Sequence, residues 1–275
     1  MDERERTELR ETARRMRRHI VRMIGRAASG HPGGSLSAVE IVASLYFREM
    51  RLDPADPALP DRDRFVLSKG HAAPVLYAAL AERGFFPVSD LDGLRQASSC
   101  LQGHPHRLDT PGVEASTGSL GQGLSMACGM ALGLRLAGSP ARVFALIGDG
   151  ESQEGQIWEA AMTAGFRRLS NLCVFLDYND LQIDGRVSAI KDIAPLRDKW
   201  QAFRWRVEEI DGHDFDQIAA ALAAFAGEAE RPTLVVARTV KGKGVSFMEN
   251  NVAFHGQAPN AQELEQALRE LGDAR

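Results

Sequence analysis

The chain has 275 residues, enough for one large α/β domain or two small ones with a substantial buried core. Hydrophobic residues make up 44% and charged residues 25%, as in ordinary globular proteins, and the formal net charge of −4 argues against nucleic-acid binding, which favours basic domains. The longest apolar run, residues 218–226, is about half of a membrane span, and the densely charged N-terminus does not resemble a signal peptide, so no membrane association is expected.

The first third of the chain predicts helices and loops around one short strand. Residues 4–28 carry nine arginines on an amphipathic pattern, which predicts a solvated helical extension at the N-terminus. After a glycine-rich loop, Ser37 and Glu40 fit a capping box that would begin a helix ending near residue 47. Further along, the pattern predicts a loop over 51–64, a strand over 64–68, and helices over 72–83 and 89–97.

From residue 119 onward, apolar strands alternate with helices. The predicted strands cover 143–147, 172–177, 206–210 and 233–239, and the predicted helices cover 119–137, 154–168, 196–203, 215–226 and 261–271. This alternation is typical of an α/β fold, a parallel β-sheet with helices on both faces. No linker or repeat divides the chain, so a single domain over 1–275 is expected. Its three cysteines form no C-x-x-C pair, which favours the reducing cytoplasm.

Six of the seven histidines lie beside glycine or proline rather than among helix formers. The pattern favours a plain loop role for His106 and a turn role for His213, and four candidates remain. They are His31, His71, His104 and His255. Turn-forming neighbours place such side chains on loops held by a scaffold, where binding residues are common. These four histidines are therefore candidate functional residues.

A Gly-Asp-Gly motif follows the strand predicted over 143–147, and Asn179 follows the next strand. Because the carboxyl ends of adjacent parallel strands meet at one edge of a sheet, Asp149 and Asn179 should converge there. A carboxylate and an amide oxygen suit Mg²⁺ or Ca²⁺ held on a diphosphate, and Gly150 would let the backbone approach a phosphate. Alone, Gly-Asp-Gly also fits an ordinary tight strand–helix turn; the placement of Asn179 favours the diphosphate site.

Several segments, in chain order, resemble the N-terminal half of transketolase, a thiamine-diphosphate enzyme. They are SGHPGGSLS (29–37), FVLSKGHAAPVLYAAL (65–80), GHP (103–105), STGSLGQGLSMACGMALG (116–133), IGDGESQEGQIWEAAM (147–162), DYNDLQIDG (177–185), DGHD (211–214) and GKGVSFMENNVAFHG (242–256). The resemblance covers nearly the whole chain and implies the thiamine-diphosphate-binding fold of the diphosphate (PP) domain.

The resemblance also implies roles for individual residues. Asp149, Asn179 and the backbone carbonyl of Leu181 would bind the metal ion, Mg²⁺ or Ca²⁺. The positions expected to contact the cofactor, thiamine diphosphate, are Gly150, His71 and His255 at the diphosphate and Gly118, Ser119 and Leu120 at the aminopyrimidine ring, with Ser119 replacing a usual proline. Glu154 and Glu159 match acidic positions at a subunit interface near the cofactor.

The same resemblance places His31 and His104, with His71 and His255, around the sugar hydroxyls as catalytic residues. Transketolases move a two-carbon ketol unit from a ketose to an aldose, and each step moves a proton on or off an oxygen. Histidine, which titrates near neutrality, suits such transfers. Lys241 and Lys243 would either add positive potential near the diphosphate or lie on an exposed loop.

Single-chain transketolases carry a second, pyrimidine-binding domain whose glutamate activates the cofactor, and no segment of residues 1–275 resembles it. The resemblance therefore implies one subunit of a split transketolase, inactive alone and completed by a C-terminal subunit in a heterotetramer acting on sugar phosphates.

Two alternatives stay open. One is a subunit of another thiamine-diphosphate enzyme, such as a deoxyxylulose-phosphate synthase-like carboligase or a 2-oxoacid dehydrogenase component. The other is a non-catalytic interaction module, which would not need Asp149, Asn179 and four loop histidines together. The donor and acceptor sugars are not specified by this half of the enzyme.

Overall fold

The computed structural model describes residues 1–272, and its centre is a five-stranded parallel sheet. The strands are β1 (Arg64–Leu67), β2 (Val143–Gly148), β3 (Leu172–Tyr178), β6 (Arg206–Asp211) and β7 (Thr233–Arg238), in the order β1-β2-β3-β7-β6. A separate two-stranded hairpin pairs β4 (Leu181–Gln182) with β5 (Gly185–Arg186). The predicted fold class and all five predicted sheet strands are confirmed, with ends shifted by one residue at most.

Helices cover both faces of this sheet. They are α1 (Glu3–Ala27), α2 (Pro32–Leu36), α3 (Val39–Ser44, continued by a π-helical turn to Glu49), α4 (Ala73–Arg83), α5 (Gln122–Leu136), α6 (Gly155–Phe166), α7 (Val187–Ile190), α8 (Leu196–Ala202), α9 (Phe215–Ala226) and α10 (Ala261–Glu270).

Strand side chains alternate between two buried clusters, as a parallel sheet covered on both faces requires. In β2, Phe144 and Leu146 face a cluster shared with α1, α3, α4 and α9. The neighbouring Ala145 and Ile147 face a cluster shared with α5, α6 and two buried tryptophans. The N-terminal helix contributes Met16, Ile20 and Ile24 to the first cluster and so packs against the molecule along one face.

Two predicted helix features are wrong, and a third helix begins later than predicted. The capping box at Ser37 and Glu40 does not form, because helical turns already begin at Pro32 and the Ser37 hydroxyl instead donates to Asp177 Oδ2 at 2.6 Å. Over residues 89–97 the chain forms only a 3₁₀ segment, Val88–Gly93. The helix expected from 119 begins later, at Gln122, after Gly121 with φ of +87°.

Candidate active site

The carboxyl ends of β2, β3 and β7 open into a cavity of about 330 Å³. Most of the predicted site residues line it, namely His31, His71, Gly118, Leu120, Asp149, Gly150, Glu154, Asn179, Leu181 and His255. The register of the parallel strands explains this convergence: Gly148 of β2 pairs with Asp177 of β3, so the turns that follow them share one edge.

Asp149 is buried, 3% exposed, and its carboxylate is held by backbone amides. Oδ1 accepts from Gly150 N at 2.7 Å, and Oδ2 accepts from Asn179 N at 2.9 Å and Asp180 N at 2.6 Å. Burial, reinforced by the negative Asp177, raises the pKa of the Asp149 carboxyl. The site therefore holds a buried carboxylate that a cation would stabilise.

Two further oxygens lie in the turn after β3. Asn179 Oδ1 accepts from Leu181 N at 3.1 Å, and the Leu181 carbonyl accepts from the Lys241 ammonium at 2.6 Å. Lys241 is only 3% exposed and also contacts His255 Nδ1 at 2.7 Å. Of the two loop lysines, Lys241 is therefore inside the site, whereas Lys243 is partly exposed and faces Glu249 at 3.7 Å.

Three of the four candidate histidines form a compact cluster. Their ring centroids are 5.2 Å apart for His31 and His71, 5.3 Å for His71 and His255, and 5.6 Å for His31 and His255. Burial, followed by nearby cationic groups, lowers the pKa of His31 to about 4 and that of His255 to about 3, and lowers the pKa of His71 as well. The rings are thus neutral at pH 7, although the sequence suggested groups that titrate near neutrality.

His104 and Ser119 are exposed at the rim and do not line the cavity. Gly118 lies between the rim and the cavity with φ of +147°, and a Cβ there would approach His104 Cδ2 to 2.9 Å, so only glycine fits. Arg95 packs over Gly103 beside His104, and burial together with Arg95 lowers the pKa of that histidine. Glu154 and Glu159 are exposed along the first half of α6.

The sequence did not reveal a second set of buried charges, which also lines the cavity. Lys69 forms an ion pair with Asp177 and donates to Gly34 O at 2.7 Å, while Asp177 also accepts from Ser37 and Thr239. Burial alone would raise the pKa of Asp177, but Lys69 and these hydrogen bonds lower it. Lysine is almost never fully buried without a partner, so Lys69 within the apolar stretch FVLSKGHAAP was a signal of a buried ion pair.

Glu151 is another residue that sequence reasoning missed. Its Oε1 accepts from Ser68 Oγ at 2.5 Å and Gly121 N at 2.9 Å, and its Oε2 accepts from Gly148 N at 3.0 Å. These bonds tie the loop before α5 to the end of β2, and so fix two walls of the cavity relative to each other.

The donor set fits a hard cation on a diphosphate better than a transition metal. One carboxylate, one amide and one carbonyl supply only oxygen, and residues 1–272 contain no cluster of three His, Cys, Asp or Glu side chains suited to a metal. Such a set needs further oxygens from a ligand. Within the described range, His31 Nδ1 and Gln182 Oε1 are buried at this cavity without a hydrogen-bond partner, as expected of groups that await a polar ligand.

No helix within residues 1–272 is both long enough and apolar enough to cross a membrane.

Comparisons with known proteins agree with this geometry. Residues 9–274 match the family model "Transketolase, thiamine diphosphate binding domain". The 6-deoxy-6-sulfo-D-fructose transketolase subunit SqwG of Clostridium sp. (strain MSTE9) is 47% identical over 264 residues, 96% of each chain. An apulose-4-phosphate transketolase subunit from Actinobacillus succinogenes is 42% identical over 267 residues, 97% of this chain and 96% of that protein.

Among solved structures, the crystal structure of transketolase from Campylobacter jejuni superposes with a TM-score of 0.92 at 32% identity. The match covers 99% of this chain but 43% of that one. The chain therefore spans nearly the whole of the two relatives whose names describe subunits, but less than half of this solved transketolase.

Proposed function

This chain belongs to the transketolase family, whose thiamine diphosphate binding domain it matches, and on that premise we propose that it is the cofactor-binding subunit of a two-chain transketolase. Together with a partner chain it would transfer a two-carbon ketol unit from a ketose to an aldose. The observation that carries this proposal is the cavity in which Asp149, Asn179 and Leu181 meet the cluster of His31, His71 and His255. That the whole chain forms one domain, and that it works in the cytoplasm, stay predictions.

We assign the metal, Mg²⁺ or Ca²⁺, to the Asp149 carboxylate, the Asn179 amide oxygen and the Leu181 carbonyl. The backbone bonds to Asp149 support this assignment, because they hold the carboxylate in place before any cation arrives. Gly150 and His71 would contact the diphosphate, and Gly118, Ser119 and Leu120 the aminopyrimidine ring. A Cβ at Gly150 would lie 3.2 Å from Gln182 Cβ, so glycine keeps that side of the cavity open.

Bound thiamine diphosphate would supply the electron sink that allows a carbon–carbon bond beside a carbonyl to break. The chain's own contribution is to orient the sugar and to move protons at its oxygens. His31, His71 and His255 are neutral at pH 7, so a bare ring nitrogen of each can accept a hydrogen bond from a sugar hydroxyl. His104, at the rim, would act on the substrate from the entrance.

We further propose that the partner is a C-terminal transketolase subunit, and that the two kinds of chain assemble as a heterotetramer. The two relatives matched over almost their whole length carry the word "subunit" in their names. On this chain, α5 and α6 present a face that would accept a partner: Met162 is 55% exposed, Phe166 69% and Leu136 79%. Glu159 lies exposed one turn before Met162, and Glu154 lies exposed where α6 begins.

The donor is proposed to be a ketose with an anionic terminal group, a phosphate or a sulfonate. The two subunit relatives are named for a sulfonated ketose and for a ketose phosphate, and both groups are tetrahedral anions. Arg95 at the rim supplies a cationic group on the route to the cavity.

Cofactor binding is the direct test of the metal assignment. Calorimetric titration of the chain with thiamine diphosphate should show binding that depends on Mg²⁺, and Asp149→Ala should abolish that dependence. The control is Asp198→Ala, an exposed carboxylate on α8, which should bind as the wild type does. Unchanged Mg²⁺-dependent binding by Asp149→Ala would refute the assignment.

The names of the relatives do not support the other classes of thiamine-diphosphate enzyme as the function of this chain. Both subunit relatives and the Campylobacter jejuni structure are named as transketolases, so we do not advance a carboligase or a 2-oxoacid dehydrogenase component.

A further inference from the structure

Two buried side chains and one partly buried histidine outside the cavity hold the segment that carries Lys241. Arg17 of α1 and Glu40 of α3 are each 7% exposed, and they form an ion pair in which Arg17 Nη1 lies 2.7 Å from Glu40 Oε1 and Arg17 Nη2 lies 2.7 Å from Glu40 Oε2. His213 Nδ1 lies 2.9 Å from Glu40 Oε2, and its side chain is 14% exposed. We call these residues the Arg17–Glu40–His213 network.

The network contacts the backbone on both sides of Lys241. His213 Nε2 accepts a hydrogen bond from Val240 N at 2.8 Å, and Arg17 Nε donates to Lys243 O at 2.9 Å. Because Nε2 is the acceptor for Val240, the ring proton must lie on Nδ1, from which it donates to Glu40. Burial alone would raise the pKa of Glu40, but Arg17 and His213 outweigh it and hold that pKa at about 2, so the carboxylate stays available as the acceptor.

The turn that carries His213 is built to reach this segment. Gly212 N donates to Arg238 O at 2.8 Å, and a Cβ on Gly212 would lie 2.5 Å from Thr239 Cγ2, so a glycine is needed for the turn to lie this close to the end of β7. This gives the DGHD segment a physical role: its glycine permits the approach, and its histidine then fixes the next peptide group. In the sequence, His213 had the features of a simple turn residue.

We propose that His213 is a positioning residue for cofactor binding, which acts through Val240 to hold the Lys241 ammonium beside His255 at the wall of the cavity. Arg17 and Glu40 set the orientation of its ring. The proposal rests on the proposed function in one respect, that the cavity accepts a diphosphate whose charge Lys241 helps to balance.

Two substitutions at position 213 separate positioning from bulk. His213→Asn ends near the place of Nδ1, so it keeps a donor for Glu40 but leaves Val240 N without an acceptor. His213→Gln is longer and can place an oxygen near the site of Nε2. In hydrogen exchange of the full chain without cofactor, the Val240 amide should exchange about fivefold faster in His213→Asn, since a single hydrogen bond is worth about 1 kcal/mol, and within about twofold of wild type in His213→Gln.

Affinity for thiamine diphosphate with Mg²⁺ gives the second readout. His213→Asn should bind about tenfold more weakly, His213→Gln should bind within about twofold of wild type, and adding His213→Asn to Lys241→Gln should cost nothing further, because both act on the same group. Faster exchange spread evenly over the chain, wild-type exchange at Val240 in His213→Asn, or additive losses in the double variant would overturn the proposal. Failure of the wild-type chain to bind would instead refute the proposed function, while the exchange result still tests the contact.

Discussion

At the scale of single residues, burial rather than intrinsic chemistry sets the charge of the site. The imidazoles of His31, His71 and His255 lie within 5.6 Å of one another and beside buried lysines, so each disfavours protonation of the others. Cationic imidazoles could not accept a proton or a hydrogen bond from a substrate hydroxyl at neutral pH. The arrangement instead offers neutral nitrogens.

This leads to a prediction for stability against pH. The pKa of His31 is about 4 in the folded chain against 6.5 as its ordinary value, so between these values the unfolded chain binds more protons. The contribution of His31 to the free energy of unfolding is therefore fully present above pH 6.5 and is lost as the pH falls through 4. Urea unfolding at pH 7 and pH 5 should show a smaller loss for His31→Gln than for wild type. Equal losses of stability in the two proteins would contradict the burial of a neutral His31 ring.

Glu151 gives a second prediction at this scale. Burial raises the pKa of this carboxyl, but two backbone amides, which can only donate, and the Ser68 hydroxyl bond to it and favour its ionised form. Glu151→Gln sets an amide donor against a backbone donor and should lower the free energy of unfolding by about 1–3 kcal/mol. The matched control is Glu159→Gln on the exposed side of α6, expected within about 0.5 kcal/mol of wild type by chemical denaturation. Equal stabilities of the two variants would argue against the role of Glu151.

Sequence motifs were enough to predict which candidate residues meet at the cavity, but not which buried residues pair with distant parts of the chain. Asp149 and Asn179 follow strand ends, so topology alone brings them together. Asp177 read as the last residue of a strand, and its partners Lys69 and Ser37 lie 108 and 140 positions away in the chain. No local pattern encodes such a pairing.

At the scale of elements, the sheet strands were predicted well from the sequence. The central strands β2, β3 and β7 are mostly apolar runs bounded by polar turns, so a local pattern is enough to predict them. The edge strand β6 is more polar and has only Val207 and Ile210 as apolar residues. The helix expected from Ser37 failed because both residues of its capping pattern are used elsewhere: Ser37 donates to Asp177, and Glu40 pairs with Arg17 and His213.

Helix packing gives a matched pair of glycine substitutions. On α6, a Cβ at Gly165 would lie 1.8 Å from Phe203 O, so Gly165→Ala must displace the segment after α8 and should cost about 1–3 kcal/mol or more. On α5, Gly129 faces open space, and Gly129→Ala should stabilise the isolated chain by about 0.5–1 kcal/mol through helix propensity. Thermal or urea unfolding of both variants checks the contrast, and a stable Gly165→Ala chain would contradict the observed packing.

At the scale of the whole molecule, the fold supplies one face of an active site. The end of the cavity at which we propose that the diphosphate binds is enclosed by β2, β3 and the Lys241 segment, whereas His104 and Ser119 are exposed at the rim. The α5 and α6 face beside it exposes Met162 and Phe166, which a folded chain would rather bury. Both features are accounted for if a second chain covers the rim and contributes the rest of the site.

Ketol transfer measured with and without that second chain is the decisive test of a two-chain transketolase. This chain should transfer no two-carbon unit from a ketose with an anionic terminal group by itself. On mixing with a C-terminal transketolase subunit, thiamine diphosphate and Mg²⁺, activity should appear, and it should vanish when Asp149→Ala replaces the wild-type chain. Robust ketol transfer by this chain alone, lost in Asp149→Ala, would contradict the proposal that a second chain is required.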